Sequence, residues 1–222
     1  MRMPLTAAAQ WLNTAFAGFD MSVTAAVHKL YEAGGPVLTP LMKLVSLMGK
    51  GGIFLILLSL ALMLFKPTRR FGTAMLLGVS IGAIFTNLFI KVAVARPRPY
   101  ADPNGFYYPL WDMLGRATES DKSFPSGHTT AAFAASVPVF LLGKKRVSWT
   151  ALLFGLMMGV SRIYLVVHYP SDVLGGLIVG SVAGCLAVLV TQRFVPQKYF
   201  DKDLFGRDYK GKHEKCSSET GK

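Results

Sequence analysis

Five hydrophobic segments joined by short polar connections limit this chain more than any other feature of its sequence. The chain has 222 residues, of which 52% are hydrophobic and only 16% are charged. A helix needs about 20 apolar residues to cross a bilayer, and only helices or closed barrels satisfy backbone polar groups in lipid. The pattern therefore predicts an all-α, polytopic membrane helical bundle with five clear transmembrane helices. The segments are Gly51–Phe65, Phe71–Ile90, His128–Leu142, Val147–Val167 and Val173–Thr191.

The net charge of +12 is gathered in short connections and in the C-terminal tail. Basic residues separate the first two hydrophobic segments, at 66–70, and the third and fourth, at 144–146. Short basic connections stay on the cytoplasmic side of a cell membrane, so we expect both of them and the C-terminus there. The 95–127 loop, whose acidic and basic residues balance, and the 168–172 turn then lie at the extracytoplasmic face. No nucleic-acid-binding motif accompanies the charge, so we exclude a nucleic-acid partner.

Both ends of the chain are predicted to lie outside the membrane-spanning domain, which we place at residues 49–194. Residues 1–48 mix large apolar side chains with small and polar ones and predict two short amphipathic helices at the membrane interface. Glycines and prolines within residues 34–40 are expected to break this region. The alternative is a sixth transmembrane helix. Residues 195–222 are charged and contain glycine, which predicts a disordered cytoplasmic tail.

The first of three polar clusters begins where the second hydrophobic segment ends. Lys91 follows that segment, and Arg98 stands between Pro97 and Pro99, which keep the local backbone out of helical geometry. An ammonium group and a planar guanidinium together form a good clamp for phosphate. Taken alone, the pair is more often explained by basic side chains that reach from the bilayer to its surface.

The second cluster, Pro125-Ser126-Gly127-His128, directly precedes the third hydrophobic segment. Ser126 and Gly127 are expected to form the start of a helix, where free backbone N–H groups and the helix dipole attract an anion. Glycine lets the backbone approach an oxygen closely, and His128 can donate a proton to a leaving group. An ordinary capped helix with a surface histidine explains the tetrapeptide equally well.

The third cluster contains Ser161-Arg162 and, after five residues, His168 followed by Asp172. Asp172 lies four residues beyond His168, close enough for its carboxylate to bond one ring nitrogen and leave the other free as a base or nucleophile. Asp172 could instead be a first-turn helix acid, and Arg162 and His168 could be interface residues. A His–Asp pair beside an arginine at the end of an apolar helix is nevertheless difficult to explain by packing.

The order and spacing of these clusters resemble the three-part signature of the type 2 phosphatidic acid phosphatase (PAP2) superfamily. The resemblance covers roughly residues 50–192, and the combined pattern is far more specific than any of its parts. The signature is formed by Lys91, six residues, Arg98-Pro99; then Pro125-Ser126-Gly127-His128; then Ser161-Arg162, five residues, His168, three residues and Asp172.

This resemblance implies a phosphatase in which His168 attacks phosphorus and forms a covalent phosphohistidine, while Asp172 orients the imidazole. His128 would protonate the leaving oxygen and then activate water. Ser126 stays open as an alternative nucleophile. Neither a metal nor another cofactor is implied. The non-bridging phosphate oxygens would be held by Lys91, Arg98, Ser126, Gly127 and Arg162.

The implied substrate is a lipid phosphate or diphosphate whose headgroup lies at the bilayer surface. Among the substrates of the family, undecaprenyl diphosphate fits a small protein with an outward-facing site best, ahead of phosphatidylglycerophosphate and phosphatidic acid. A membrane phosphotransferase using the same phosphohistidine, or a non-catalytic membrane protein that retains the site, are the alternatives. Vanadate-dependent haloperoxidases share the residue constellation, but they are soluble and this chain is too apolar to be so.

Overall fold

The computed structural model describes residues 5–201, which fold into helices and connecting turns without a β-strand. A π-helix spans Phe85–Ile90. Short 3-10 helices lie at Lys50–Gly52 and Pro99–Ala101. The α-helices are α1 Ala7–Ala15, α2 Ala17–Gly49, α3 Ile53–Leu64, α4 Arg69–Ile84, α5 Lys91–Val94, α6 Tyr107–Met113, α7 Gly127–Leu142, α8 Lys145–Tyr164, α9 Pro170–Phe194 and α10 Gln197–Asp201.

All five predicted hydrophobic segments are helical, which confirms the all-α architecture. Within the described residues, four helical stretches are long and apolar enough to cross a membrane, and α7 is apolar but shorter. Whether the bundle crosses the membrane five or six times stays a prediction, because the first stretch joins α2 to α3. The four stretches are Ala17–Leu64, Arg69–Ala101, Lys145–Tyr164 and Pro170–Phe194.

The two ends of the chain differ in part from their predicted structure. The expected break at residues 34–40 occurs only as a kink: α2 bends at Gly34, whose φ is −160°, and continues through both of its prolines. A glycine with non-helical torsions lets a helix bend to relieve proline clashes without ending. At the other end, part of the tail predicted to be disordered forms the short helix α10. The remainder of that prediction, residues 202–222, lies outside the described residues.

Glycines bring α4, α7 and α9 together at the centre of the bundle. A Cβ atom built on Gly78 of α4 would lie 2.4 Å from the carbonyl oxygen of Ala134, and one on Gly180 of α9 would lie 2.4 Å from that of Thr130. Small residues allow this close backbone approach, which is how helices associate in lipid. The packing holds the starts of α7 and α9 beside the end of the α4–α5 stretch, so the three polar clusters share one end of the bundle.

The opposite end of the bundle carries the first basic connection and the C-terminal helix. The Arg69 Nη1 donates to the carbonyl oxygen of Tyr199 at 2.9 Å, and its Nε donates to that of Met63 at 2.8 Å. Carbonyls of a helix C-terminus have no intrahelical donor, so the guanidinium satisfies groups that would otherwise be orphaned. The first basic connection and α10 therefore lie together, as the charge pattern predicts. Their assignment to the cytoplasm stays a prediction.

Candidate active site

Residues of all three clusters line one cavity of about 510 Å³ at the end of the bundle. Lys91 and Arg98 approach it from α5 and the turn that follows, and His168 approaches it from the turn before α9. Gly127 and His128 approach it from the first turn of α7. The cavity thus unites two imidazoles and two cations that are separated by up to 77 positions in the chain.

His168 is buried at the base of this cavity, with each ring nitrogen beside a different partner. The Arg98 Nη1 lies 2.8 Å from Nε2 and also donates to the carbonyl oxygen of Val167 at 2.7 Å. Since a guanidinium can only donate, Nε2 accepts and the ring proton lies on Nδ1. Burial, then the positive charges of Arg98 and Arg162, lower the pKa of His168 well below its ordinary value. The imidazole is therefore neutral, as a nucleophile must be.

Asp172 lies behind His168, as its spacing predicts, but at a longer distance than a good hydrogen bond. Its Oδ2 is 3.5 Å from Nδ1 of His168, and that Nδ1 has no hydrogen-bond partner. The same Oδ2 accepts from the Ser123 hydroxyl at 2.5 Å and from the Tyr169 backbone N–H at 3.0 Å. The Tyr169 bond makes Asp172 a first-turn helix acid, and its predicted hydrogen bond to His168 is not formed in this structure.

The three cations predicted to bind phosphate are each paired with a carboxylate of the 115–125 loop. Asp121 binds both Lys91 and Arg98. Burial raises the pKa of Asp121, but its hydrogen bond to Lys91 and the charges of Lys91 and Arg98 outweigh this and lower the pKa overall. Arg162 binds Glu119 in the same way and also donates to the Ser46 hydroxyl. Sequence reasoning treated these carboxylates only as bulk charge in the outer loop.

Ser126 differs from its predicted placement in the phosphate-binding set. The residue is fully buried, and its hydroxyl accepts from the hydroxyl of Thr129 at 3.0 Å and from the backbone N–H of that residue at 3.4 Å. Its own backbone N–H donates to the Asp172 carbonyl at 3.0 Å. Ser126 is therefore the N-cap of α7 and is turned away from the cavity. Gly127 does face it, because a Cβ there would lie 3.4 Å from Nζ of Lys91.

Arg96 is the main residue of this region that sequence reasoning missed. It was counted among the loop charges, yet it is 1% exposed and lies between two buried carboxylates. Its Nη1 is 2.7 Å from Oδ1 of Asp172, and its Nη2 is 2.9 Å from Oδ2 of Asp20 in α2. The repeated Arg-Pro pattern of residues 96–99 was the available signal, since both arginines precede a proline. Nothing in the sequence marked Asp20.

Away from the cations, the cavity continues along α3 and α4. Ile56 lies on the α3 side, and Val79, Ala83 and Ile84 lie on the α4 side. Ile84 is 48% exposed on the apolar outer surface of the bundle, so this branch reaches the region that faces lipid. Within residues 5–201, His, Cys, Asp and Glu side chains form no group of three or more that could hold a metal ion.

The amino-acid sequence of the chain matches one protein-family model and several known proteins. The model of the PAP2 superfamily matches residues 70–196. The chain is 34% identical over 131 residues to undecaprenyl-diphosphatase BcrC of Bacillus subtilis, covering 59% of this chain and 64% of that protein. It is 30% identical over 129 residues to an undecaprenyl-diphosphatase of Sulfolobus acidocaldarius, covering 58% and 59%. The chain thus matches less than two thirds of the length of these relatives.

Two crystal structures resemble the fold over most of its length. LpxE of Aquifex aeolicus superposes with a TM-score of 0.62 at 21% identity, covering 76% of this chain and 94% of that one. A transmembrane PAP2-type phosphatidylglycerolphosphate phosphatase of Bacillus subtilis superposes with a TM-score of 0.64 at 25% identity, covering 84% and 91%. The similarity in fold therefore extends well beyond the segment matched by the family model.

Proposed function

Because the chain belongs to the PAP2 superfamily, we propose that it is an integral-membrane lipid phosphatase with a phosphohistidine intermediate. The observation that carries the proposal is the shape of the cavity. One end holds His128, His168, Lys91 and Arg98, and the other runs along apolar side chains to the lipid-facing surface. A substrate that fits has a phosphate head and a hydrocarbon tail.

The first step begins with the exchange of one anion for another. A phosphate entering the cavity displaces the Asp121 carboxylate from Lys91 and Arg98, which bind the non-bridging oxygens and stabilise their charge. Arg98 then releases Nε2 of His168, which attacks phosphorus. The Nε2–P bond forms as the bond from phosphorus to the lipid oxygen breaks, and His128 gives its proton to that oxygen.

The second step reverses these roles with water as the acceptor. His128 takes a proton from water as the water oxygen attacks phosphorus, and the electron pair of the Nε2–P bond returns to His168. Arg162 is proposed to join the phosphate clamp once Glu119 moves away. Gly127 contributes its backbone N–H at the start of α7. Asp172 stabilises the positive charge that the ring carries in the intermediate.

We assign undecaprenyl diphosphate as the substrate, at the extracytoplasmic face, with the C-terminus in the cytoplasm. The undecaprenyl-diphosphatases of Bacillus subtilis and Sulfolobus acidocaldarius, 34% and 30% identical to this chain, support a polyprenyl diphosphate as the substrate. The basic connections at the end of the bundle opposite the cavity support this orientation, because such connections stay inside. The catalytic domain proposed here is residues 49–194.

The proposal is tested by phosphate release from purified protein in detergent with EDTA present. The panel contains undecaprenyl diphosphate, phosphatidylglycerophosphate and phosphatidic acid, and the variants are His168→Ala and, as a matched control outside the site, His28→Ala. We expect release by the wild type and His28→Ala, fastest with undecaprenyl diphosphate, and none by His168→Ala. Equal release by the two variants would refute the assignment of His168. Transfer of phosphate to an added alcohol without release to water would indicate a phosphotransferase.

A further inference from the structure

We infer that Asp20, on the N-terminal helix α2, is a positioning residue that acts on the His168–Asp172 pair through the guanidinium of Arg96. The inference rests on the proposed function, because it gives Asp20 a part in the same reaction. Asp20 lies ahead of the matched family segment, residues 70–196, and it belongs to none of the three clusters.

The geometry joins Asp20 to the site by a continuous chain of buried contacts. Arg96 donates from Nη2 to Asp20 at 2.9 Å and from Nη1 to Asp172 at 2.7 Å. The exposed fractions of the Asp20, Arg96 and Asp172 side chains are 1%, 1% and 0%. Asn13 accepts from Nε of Arg96 at 2.8 Å, and the guanidinium lies 3.8 Å from the centre of the Tyr169 ring. Each edge of the guanidinium is thereby fixed.

Asp20 also contacts the helix that carries Asp172. Its Oδ1 accepts from the backbone N–H of Ser171 at 2.7 Å, and its Oδ2 accepts from the Ser171 hydroxyl at 2.8 Å. The Ser171 hydroxyl in turn accepts from Nη1 of Arg96 at 2.7 Å. One carboxylate thus holds both the first turn of α9 and the cation that binds Asp172. A free N–H of a helix start is satisfied by a residue more than 150 positions away.

The charge of Asp20 determines how much of Asp172 remains available to His168. With Asp20 ionised, Arg96 is shared between two carboxylates, and the three groups carry one net negative charge in a buried environment. Without the charge of Asp20, the guanidinium of Arg96 neutralises the carboxylate of Asp172 alone. The negative potential at Nδ1 of His168 then falls, and low polarisability of the surroundings makes that change large. The cationic ring of the phosphohistidine loses part of its stabilisation.

Other charged and titratable groups face His168 from each neighbouring element, and all of them are the same in a variant at Asp20. Lys91 and Arg98 come from α5 and the following turn, and Arg162 comes from α8. Asp121 comes from the outer loop, His128 from α7 and Asp172 from α9. A neutral residue at position 20 therefore removes one negative charge and leaves the other groups around His168 unchanged. Protonation of His168 then requires a lower pH, so the acidic limb of the pH profile for phosphoenzyme formation moves to lower pH.

The deciding experiment compares full-length Asp20→Asn with Asp112→Asn, a matched loss of an exposed carboxylate, using p-nitrophenyl phosphate in detergent. We expect Asp20→Asn to lower kcat roughly tenfold with KM within about twofold. Added to Asp172→Asn, it should cause less than about a twofold further loss, because both act through one group. Rates equal to those of Asp112→Asn, or a full additive loss in the Asp172→Asn background, would overturn the inference.

Binding of orthovanadate, measured by calorimetry, makes the test independent of turnover and of the lipid. Vanadate bonded to an imidazole nitrogen takes the trigonal-bipyramidal geometry of the transition state, so Asp20→Asn should bind it roughly tenfold more weakly than Asp112→Asn, in parallel with the loss in kcat. Equal binding would reject the role of Asp20. A wild type that binds vanadate but hydrolyses no lipid would reject the proposed function alone. If Asp20→Asn does not yield a monodisperse protein, Asp20→Ser replaces it as the neutral variant and Asp20→Glu retains the charge. The wild-type pH profile is expected in Asp20→Glu only, and the same profile in both variants would overturn the inference.

Discussion

The two sides of His168 are both rich in ion pairs, but they differ in how their carboxylates meet solvent. On the cavity side, Asp121 is 45% exposed and Glu119 is 28% exposed, and both belong to a loop. Behind the imidazole, Asp20 and Asp172 are almost completely buried on helices. The cavity-side carboxylates are partly solvated, so they can leave their cations at a lower cost than Asp20 and Asp172, whose separation from Arg96 carries a large desolvation cost. The first set is suited to give way to a substrate phosphate, and the second is suited to stay fixed.

Removing the imidazole between the two sides should have the largest effect. His168→Ala is expected to reduce turnover by roughly a thousandfold or more, because the group that both sides serve is gone. Phosphoenzyme should disappear together with turnover, which acid-quenched labelling would measure. Retained turnover in the variant would mean that His168 is not the nucleophile.

The next largest effect is expected from Arg96→Met, which tests the buried ion pairs behind the imidazole. This change leaves Asp20 and Asp172 buried without their common cation, so we expect a loss of about 3–5 kcal/mol in the free energy of unfolding. Arg116→Met, which removes an exposed pair with Asp112, is the matched control and should leave the unfolding curve almost unchanged. Equal unfolding curves for the two variants, measured in detergent with denaturant, would contradict the distinction between the two sides.

On the cavity side, removing a carboxylate should strengthen the binding of phosphate. Asp121→Asn frees Lys91 and Arg98 from an internal anion, so phosphate and vanadate should bind roughly three- to fivefold more tightly. Calorimetry on the variant and on Asp112→Asn would measure this gain. Weaker binding by Asp121→Asn would show that its carboxylate supports the cations during catalysis and is not displaced.

The smallest expected effect is on the pH dependence of stability, through the carboxylate of Asp121 on the cavity side. The pKa of Asp121 is lowered on folding, so the unfolded chain binds its proton first as pH falls. Its contribution to stability is therefore fully present above the unfolded pKa of about 4 and is lost as pH falls through the folded value. The unfolding midpoints of the wild type and Asp121→Asn should differ slightly at pH 7 and converge in acid. A difference that persists to the lowest pH would contradict the direction of the shift.

The sequence predicts most of the fold because the bilayer sets both the length and the polarity of each helix. That rule identified the helices that became α3, α4, α7, α8 and α9. It did not determine how α2 responds to its glycines and prolines, which produce a kink at the non-helical Gly34 and leave the residues on either side helical. Local rules do not say whether a kink or a break follows.

The candidate site was predictable where residues belong to a recognisable motif, and not where a single residue outside the motifs joins them through folding. His128, His168, Lys91 and Arg98 do share a cavity, as their motifs predict. Ser126 was expected in the cavity because helix starts bind anions, but its hydroxyl caps its own helix. The contacts of Arg96 with Asp20 and Asp172 each span 76 positions. No short-range spacing could have identified them.

The long reach of the Asp20 contacts has a consequence for how this protein can be cut or recombined. The recognisable family segment, residues 70–196, leaves out the carboxylate that holds Arg96 and the start of α9. A chimera that grafts this segment onto the amino-terminal helix of another protein would keep every signature residue and lose that contact. A working chimera would therefore need a carboxylate on its new amino-terminal helix that can bind Arg96 and the start of α9.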